Sequence, residues 1–362
     1  MSLIEDVKIL ELEGTPRERG QIHGEKVKSM IWEYIERWKY HLSTQMHVNP
    51  DKYFDNIFEK THFLDAVKKW SPSLLEEVEG IGEGADVDFK TIFTLQLMDE
   101  NWWYANRART QGIYEEQCSA LGCFKEDDYP ALLAQNGDLR NTYDGFQVLL
   151  HIKNSNSSVE SYVMAHAGLI GLWGMNNQPL GITCNTLSQL NPSIDGLPVS
   201  FIVRAVLEQS TLNKSIKFIN EIKHASGQNY IIGDLETVVN FECSANKVSK
   251  YIPYEGARKV YHTNHPIVNN DLIVPILPFA GNSHVRFTYL EKRMKDSSRK
   301  ITVETIKNIL SSHEGPICVH NNYQPGGGVT IASLVYVLSS SPELHLAVGP
   351  PCSTKWKIYK FE

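Results

Sequence analysis

The sequence lacks the features that direct a chain to a membrane or to nucleic acid. It contains no run of 18 apolar residues, so no membrane-spanning helix is predicted. It has no dense cluster of Lys and Arg, and its net charge of -7 would repel phosphate backbones and anionic lipid surfaces. The first residues, MSLIEDVKIL, are acidic where a secretory signal is basic, and they include no apolar region of signal length. We therefore expect a cytoplasmic protein that binds neither nucleic acid nor membranes.

Cysteine is also scarce. Six cysteines are scattered over 362 residues with no C-x-x-C pair, which is too few for a disulfide scaffold and predicts reduced thiols. Cys184, Cys243, Cys318 and Cys352 are interpreted as buried apolar residues. The two histidines of HTNH (262–265) are three residues apart with no acidic third ligand beside them, so we predict neither a metal site nor a cofactor.

The residues that are present indicate a folded protein that begins with helices. The hydrophobic content of 42% and the charged content of 21% are typical of globular proteins. Residues 1 to about 105 are expected to be mostly helical, and the capping box Thr15-Pro16-Arg17-Glu18 predicts the start of one long amphipathic helix. Further helical segments are expected at 51–69, at 72–80 and from 88 to 104.

After residue 118 the pattern changes to that of β-strands. Short runs rich in Val, Ile, Leu and Tyr, such as FQVLLHI, ESYVMAH and VVNFEC, are separated by turn residues, which predicts antiparallel pairing. Helices are expected to interrupt the strands near 197–224 and 284–311. No repeat or linker divides the chain, so residues 1–362 are predicted to form a single α+β domain with helix layers packed on antiparallel sheets.

Cys118, in EEQCSALGCF, has three interpretations. It could be a small core residue, or the nucleophile of a papain-like enzyme whose histidine the sequence does not identify. It could also become an N-terminal nucleophile. If the preceding peptide bond is cut, the new α-amino group, with a pKa near 7.7–8.0 against about 8.5 for a thiol, can serve as the base. Cys123, five residues on and on the opposite strand face, is expected only to pack.

Seven blocks of the sequence are similar to those of a known family: GTPRERGQIHGE, EEVEGIGEGADVDFKTI, QCSALGCF, LLAQNGD, AGLIGLWGMNNQPLGITCNTL, LPVSFIVRAVLEQS and HTNHP. They resemble, in order and across most of the chain, the acyl-CoA:6-aminopenicillanic acid acyltransferase family, also called peptidase family C45. More distantly, the chain resembles choloylglycine hydrolases and penicillin V acylases. The resemblance implies the N-terminal nucleophile (Ntn) hydrolase fold, a four-layer αββα sandwich with two antiparallel sheets between helical layers.

The resemblance implies self-cleavage between Gln117 and Cys118. Residues 1–117 would then be a pro-segment or α chain, and residues 118–362 a β chain. Cys118 would attack an amide or thioester carbonyl and form an acyl-thioester, from which water gives hydrolysis and an amine gives acyl transfer. The implied partner is a small N-acyl substrate; an acyl-CoA and a second copy of the chain are further candidates.

The same resemblance assigns roles to further residues. Asp138 would orient the α-amino group, and Asn264 would donate to the oxyanion of the tetrahedral intermediate. Arg286 stands where related hydrolases carry an arginine near the nucleophile, which would favour the thiolate. Asn176 and Asn185 lie in the block that borders the substrate pocket and are candidate substrate contacts.

The chain also departs from the family's pattern. Gln117 and Ser119 stand where the family often has Gly and Thr, and Gly137 and Leu139 replace two tryptophans beside the acid. We therefore expect altered self-cleavage and a reshaped pocket, and the penicillin substrate is not carried over. An autoprocessed hydrolase is the preferred interpretation. An uncleaved, non-catalytic member that binds a ligand or partner is the alternative.

Overall fold

Helices dominate the chain before residue 117. The structure is a computed structural model that describes residues 6–44, 47–106, 117–273, 281–295, 300–320 and 327–361. The helices of this first part are α1 (Pro16–Lys26), α2 (Lys28–Thr44), α3 (Pro50–Lys60), α4 (Phe63–Trp70), α5 (Pro72–Ala85), α6 (Phe89–Leu95) and α7 (Met98–Asn106). None of the helices in the described ranges combines the length and the apolar character needed to cross a bilayer.

Two β-sheets are built mainly from the residues that follow. The first sheet, sheet A, has eight strands in the order β1-β4-β5-β6-β7-β8-β9-β10. Its strands are β1 (Lys8–Gly14), β4 (Gln147–Asn154), β5 (Glu160–His166), β6 (Trp173–Asn176), β7 (Gly181–Thr186), β8 (Gln228–Gly233), β9 (Val238–Cys243) and β10 (Val248–Lys250). All its neighbouring strands pair antiparallel except β1 and β4, which are parallel.

The second sheet, sheet B, has six antiparallel strands in the order β11-β2-β3-β12-β13-β14. Its strands are β2 (Gln117–Cys123), β3 (Ala131–Arg140), β11 (Lys259–His262), β12 (Gly328–Leu338), β13 (Glu343–Ala347) and β14 (Lys357–Lys360). The strand that begins at the Gln117–Cys118 bond therefore lies inside this sheet, between β3 and β11.

The two sheets pack face to face, with helices on both outer surfaces. A Cβ added to Gly181 of sheet A would lie 3.2 Å from Tyr336 and 3.4 Å from Leu133, both in sheet B, which shows how closely the inner faces meet. Helices α8 (Val199–Leu207) and α9 (Leu212–Glu221) cover sheet A, and α10 (Ser283–Lys295) and α11 (Val303–Leu310) cover sheet B. The αββα sandwich expected from the resemblance is confirmed.

Helices α1 and α5 pack with their backbones in contact. A Cβ on Gly20 would lie 2.0 Å from the carbonyl oxygen of Glu77, and one on Gly84 would lie 2.2 Å from that of Gln21. Only glycine allows such an approach. Gly80 and Gly84 therefore form the surface of α5 against which α1 packs.

A buried ion triad ties these two helices to the rest of the chain. Glu77 on α5 accepts from Arg19 on α1 at 2.9 Å and from Arg204 on α8 at 2.7 Å, and all three side chains are almost completely buried. Burial acts to raise the pKa of Glu77, but the two arginines more than offset it and lower the pKa below its ordinary value. The triad thus joins helices on both sides of residue 117.

Several sequence predictions hold. ESYVMAH coincides with β5 and VVNFEC with β9, and helices occur where 197–224 and 284–311 predict them. These segments are easy to predict because their apolar residues recur with the period of a strand or of a helix, and turn residues bound each segment.

Three expectations about the first part of the chain are wrong. Helix α1 ends at Lys26 because Val27 adopts a non-helical conformation (φ -128°, ψ 25°), so the long helix is two helices. The segment 51–69 likewise divides into α3 and α4. Residues 8–14 are not helical: Leu10 and Leu12 alternate inward on β1, which adds a parallel edge to an otherwise antiparallel sheet.

Candidate active site

Cys118 lies on the face of sheet B that meets sheet A. Along β2, Cys118 and Ala120 belong to the core between the sheets, whereas Leu121 and Cys123 belong to the core beneath α10 and α11. This alternation follows from the two-residue period of a strand. It confirms that Cys123 packs on the opposite face, where burial raises the pKa of its thiol to about 11.

The backbone of Cys118 is held by two of the predicted site residues. Its N–H donates to Oδ1 of Asn264 at 2.9 Å, and its carbonyl oxygen accepts from Nη1 of Arg286. Arg286 also donates from Nη2 to the same Asn264 oxygen, at 2.9 Å. Residues separated by 146 and 168 positions along the chain therefore converge on the peptide that contains the predicted nucleophile.

Arg286 is completely buried, although it carries a permanent charge. Besides Cys118 and Asn264, it donates to Ser119 Oγ at 3.0 Å and to Asn282 Oδ1 at 2.6 Å. All four of these acceptors are neutral oxygen atoms. At these contacts the positive charge is solvated by dipoles, and it lies next to Cys118, where it can stabilise a negative charge that develops there.

The loop that carries Asn264 is fixed by a buried carboxylate. Glu242 accepts from Nε2 of His262 at 2.8 Å and from three consecutive backbone N–H groups of residues 267–269. Since Oδ1 of Asn264 accepts from two donors, its Nδ2 points the other way and donates to the carbonyl of Thr186 at 3.1 Å. The orientation of the Asn264 amide is thereby determined.

Asp138 is close to the scissile position but faces the other side of the sheet. It pairs with Gln117 across β2 and β3, and its Oδ1 accepts from Thr330 on the outer face, whereas Cys118 faces inward. Burial raises the pKa of Asp138 to about 7, against the opposing effects of the Thr330 hydrogen bond and the Arg286 charge. Its Oδ2 atom is buried without a hydrogen-bond partner among the described residues.

A narrow cavity of about 20 Å³ opens beside Cys118, with room for about one water molecule. Its wall is mainly apolar and comes from both sheets, from α8 and from the segment that precedes β2. The side chains that line it include Met98, Asp99, Cys118, Leu139, Leu169, Leu172, Trp173, Cys184, Thr186, Val199, Ser200 and Val203.

Trp173 occupies the space that the absent side chain of Gly137, the residue before Asp138, leaves open. A Cβ on Gly137 would lie 2.1 Å from the indole ring of Trp173, so no side chain other than hydrogen fits there. Trp173 belongs to β6 of sheet A, and its ring crosses the gap between the sheets. The chain has Gly137 where the family has a tryptophan beside the acid. The indole of Trp173, from the facing sheet, fills that space instead.

The two candidate substrate contacts do not line the cavity. Asn176 uses both ends of its amide on backbone groups, accepting from residues 178 and 180 and donating to residues 207 and 209. It is a turn residue, and we propose no substrate contact for it. Asn185 accepts from Asn229 at 3.2 Å and faces sheet B, one residue away from the cavity-lining Cys184 and Thr186.

Sequence reasoning missed Asp99, which lines the cavity from α7. Its Oδ2 accepts from Thr186 Oγ1 at 3.0 Å, and its neighbour Glu100 accepts from the backbone of Val199 at 3.1 Å. Burial, and secondly the nearby Asp99, raise the pKa of Glu100 to about 8. The only signal in the sequence was two adjacent acids before the aromatic run NWWY, in a segment interpreted as a structural helix.

Comparison with known proteins identifies a matching family. The family model described as acyl-coenzyme A:6-aminopenicillanic acid acyl-transferase matches residues 124–349. The match includes Asp138, Asn264 and Arg286 and begins after Cys118.

Individual relatives are more distant. Protein dcd1A of Dictyostelium discoideum is 24% identical over 234 residues, which are 56% of this chain and 50% of that protein, so the chain spans about half of this relative's length. Among solved structures, a variant of the conjugated bile acid hydrolase from Clostridium perfringens is 14% identical with a TM-score of 0.47, over 68% of this chain and 97% of that one. Penicillin V acylase from Agrobacterium tumefaciens is 12% identical with a TM-score of 0.39, over 67% and 86% of the two chains.

Proposed function

Because the chain belongs to the acyl-coenzyme A:6-aminopenicillanic acid acyl-transferase family, we propose that it is an autoprocessed N-terminal-cysteine amidohydrolase or acyltransferase. Its substrate would be a small N-acyl compound, attacked at an amide or thioester carbonyl. The observation that carries this proposal is the convergence of Asn264 and Arg286 on the backbone of Cys118. A cysteine that only packed in the core would have no need of a completely buried cation beside it.

Self-cleavage is the first proposed step. The Cys118 thiol adds to the Gln117 carbonyl carbon, the bond from that carbon to the Cys118 nitrogen breaks, and the nitrogen takes up the proton. The Gln117 acyl group is then carried as a thioester on Cys118, and water hydrolyses it. The sequence alone identifies no base for this step. The N–H of the scissile amide already donates to Oδ1 of Asn264 at 2.9 Å, which fixes its orientation.

Turnover would use the new α-amino group of Cys118 as proton shuttle. The group would form where the strand pairs with Asp138, whose buried Oδ2 has no partner among the described residues and could accept a hydrogen bond from it. Arg286, whose Nη1 already donates to the carbonyl oxygen of Cys118, would stabilise the oxyanion of the tetrahedral intermediate. Asn264 would add a second donor once its Nδ2 group exchanges the carbonyl of Thr186 for the oxyanion. Release of the acyl group to water gives hydrolysis, and release to an amine gives transfer.

The cavity supports an apolar acyl group as the part of the substrate next to Cys118. Leu139, Leu172, Trp173 and Val203 form much of its wall. A cavity of about 20 Å³ in the unbroken chain is too small for an acyl chain. We therefore propose that cleavage, which removes Gln117 from the end of β2, also widens the site, so that the unbroken chain is a zymogen.

Intact-mass spectrometry of the purified protein tests the cleavage. Wild type should give two chains of 117 and 245 residues, the second beginning at Cys118. Cys118→Ala should remain a single chain. Cys123→Ala is the matched control, because that thiol lies on the same strand but faces the other core, and it should cleave like wild type.

A panel of N-acyl amino acids, acyl-CoAs and penicillins, assayed for release of amine or thiol, then tests turnover. Acylated Cys118 should be detectable by mass during the reaction. A single full-length chain whose Cys118 does not react with thiol reagents would instead favour the uncleaved, ligand-binding alternative. A full-length chain with a reactive Cys118 that depends on one histidine would favour a conventional cysteine hydrolase.

A further inference from the structure

Four metal-ligating side chains converge on the far side of sheet B. His313, Cys318 and His320 follow α11, and Cys352 follows β13, so two separate segments contribute. Their ligand atoms all lie within 4.8 Å of one another. Cys352 is exposed rather than buried, and Cys318 is buried beside it, so the interpretation of Cys352 as a core residue is wrong.

Four distances within the cluster are close to those of a tetrahedral site. Zn–S bonds of about 2.3 Å and Zn–N bonds of about 2.0–2.1 Å place tetrahedral ligand atoms roughly 3.8 Å apart for two sulfurs, 3.6 Å for sulfur and nitrogen and 3.3 Å for two nitrogens. The observed distances are 3.6 Å between the sulfurs of Cys318 and Cys352, and 3.1 Å between the Nε2 atoms of His313 and His320. Nε2 of His320 lies 3.1 and 3.9 Å from the two sulfurs.

We propose that His313, Cys318, His320 and Cys352 bind a zinc ion. Two thiolates and two neutral imidazoles suit Zn²⁺, and a site with four protein ligands and no open position is structural rather than catalytic. Binding releases the two thiol protons, so the two thiolates balance the charge of the ion. The ion would fasten the segment after α11 to the turn after β13.

The main alternative, a disulfide between Cys318 and Cys352, explains only half of the cluster. The two sulfurs are 3.6 Å apart, well beyond the roughly 2.05 Å of an S–S bond. A disulfide would also give no reason for the Nε2 atoms of His313 and His320 to approach each other, or for that of His320 to lie beside both sulfurs. The four-atom arrangement is accounted for by one shared ion.

The zinc site would also position Asp138. Val319, between two of the ligands, donates its N–H to Thr330 Oγ1 at 2.9 Å and accepts from the Thr330 N–H at 2.9 Å. The same Thr330 hydroxyl donates to Asp138. An ion that fixes residues 318–320 would therefore fix the donor that holds the Asp138 carboxyl. This consequence alone rests on the proposed function; the zinc site itself does not.

Metal titration of the full-length chain tests the site. After removal of metal by a chelator under reducing conditions, wild type should bind one Zn²⁺ per chain in competition with a chromophoric chelator. Co²⁺ in its place should give the absorption bands of a tetrahedral thiolate complex. Cys352→Ser and His313→Gln, both exposed and so expected to fold, should weaken zinc binding by more than the roughly 10–100-fold typical of losing an outer-shell partner.

His62→Gln is the matched control, because His62 is exposed, lies outside the cluster and should leave zinc affinity unchanged. Equal affinity in wild type, Cys352→Ser and His313→Gln would overturn the proposal. So would a Cys318–Cys352 disulfide that persists in wild type under reducing conditions. These readouts need no cleavage at Cys118, so a failure of the proposed function leaves them interpretable.

Discussion

Two buried arginines of this chain have opposite surroundings. Arg204 shares the carboxylate of Glu77 with Arg19, so its charge is balanced within hydrogen-bonding distance. Arg286 is equally buried, but its hydrogen bonds to Cys118, Ser119, Asn264 and Asn282 end on neutral oxygen atoms. The first arrangement holds helices together, and the second places a positive charge beside a cysteine.

The surroundings of a buried charge indicate whether it stabilises the fold or takes part in the reaction. A buried charge is costly, so a cation held beside a candidate nucleophile by hydrogen bonds to neutral oxygens is a candidate for a chemical role. The Arg286 charge acts to lower the pKa of Asp138, but burial outweighs it and raises that pKa to about 7. Substitutions at the two arginine sites should accordingly affect different measurements.

The largest expected effect comes from removing the Glu77 carboxylate, which balances the charge of Arg204. Glu77→Gln removes the carboxylate to which both buried guanidinium groups donate, so we expect the free energy of unfolding to fall by about 3–5 kcal/mol. Urea denaturation measures this change. Any self-cleavage in the folded fraction should be unaffected, because Glu77 does not contact the peptide of Cys118.

The control for Glu77→Gln is a pair at the same helix interface but in solvent. Arg17 and Glu83 join α1 to α5 at the surface, where solvent screens the interaction. Arg17→Ala should leave the unfolding midpoint unchanged. Equal destabilisation by both substitutions would show that the triad is not special and would remove the contrast with Arg286.

The next largest effect concerns chemistry rather than folding. Arg286→Met removes the cation and the donor to the Cys118 carbonyl, so we expect cleavage and turnover to slow about 100–1000-fold, as for loss of an oxyanion donor. Its destabilisation should be smaller than that of Glu77→Gln. Arg286→Lys keeps the charge but not the planar fork, and should give an intermediate rate.

The cleavage rate and the free energy of unfolding, measured on the same sample of Arg286→Met, distinguish a role in the reaction from a role in folding. If Arg286→Met unfolds as easily as Glu77→Gln while its folded fraction keeps the wild-type rate, then Arg286 is a structural residue and the contrast fails.

The smallest effect is a change in how stability depends on pH. Because the pKa of Asp138 is raised from 3.8 to about 7, its contribution to stability is complete below pH 4 and is lost as pH rises through 7. The slope is about 1.4 kcal/mol for each pH unit in that window. Unfolding of Cys118→Ala, compared with Cys118→Ala combined with Asp138→Asn, measures it in uncleaved chains.

The double variant should lack this slope and should lose less stability than Cys118→Ala between pH 4 and pH 7. Parallel curves for the two proteins would mean that Asp138 is ionised throughout the window, and hence that it neutralises Arg286 after all.

Periodicity predicted most of the later elements, and tertiary packing explains the misses. The strand ESYVMAH could be predicted because alternation and turn residues are local signals. The break at Val27 could not, since it depends on how α1 lies against the glycines of α5. The strand Lys8–Gly14 carries an alternating pattern, but its parallel partner Gln147–Asn154 lies more than 130 residues away.

Some residues of the candidate site could likewise be predicted from the sequence, and others only the fold reveals. Cys118 and Asn264 were identified through family blocks and Arg286 through the arginine of related hydrolases, and the fold brings the three together. The indole of Trp173 over Gly137 was not predictable, because it reaches across from the other sheet. Cys318 and Cys352 are 34 positions apart and match no zinc-binding spacing, so only the fold reveals them as neighbours of two histidines.

Strand β1 has a practical consequence for anyone who expresses the two halves separately. It would belong to the smaller fragment but pairs along its whole length with β4 of the larger one. Residues 118–362 made alone would expose the edge of β4, with a row of unpaired N–H and C=O groups that invites self-association. A synthetic peptide of residues 8–14 offers a direct way to cap that edge, and the two fragments are best produced from one transcript and refolded in each other's presence.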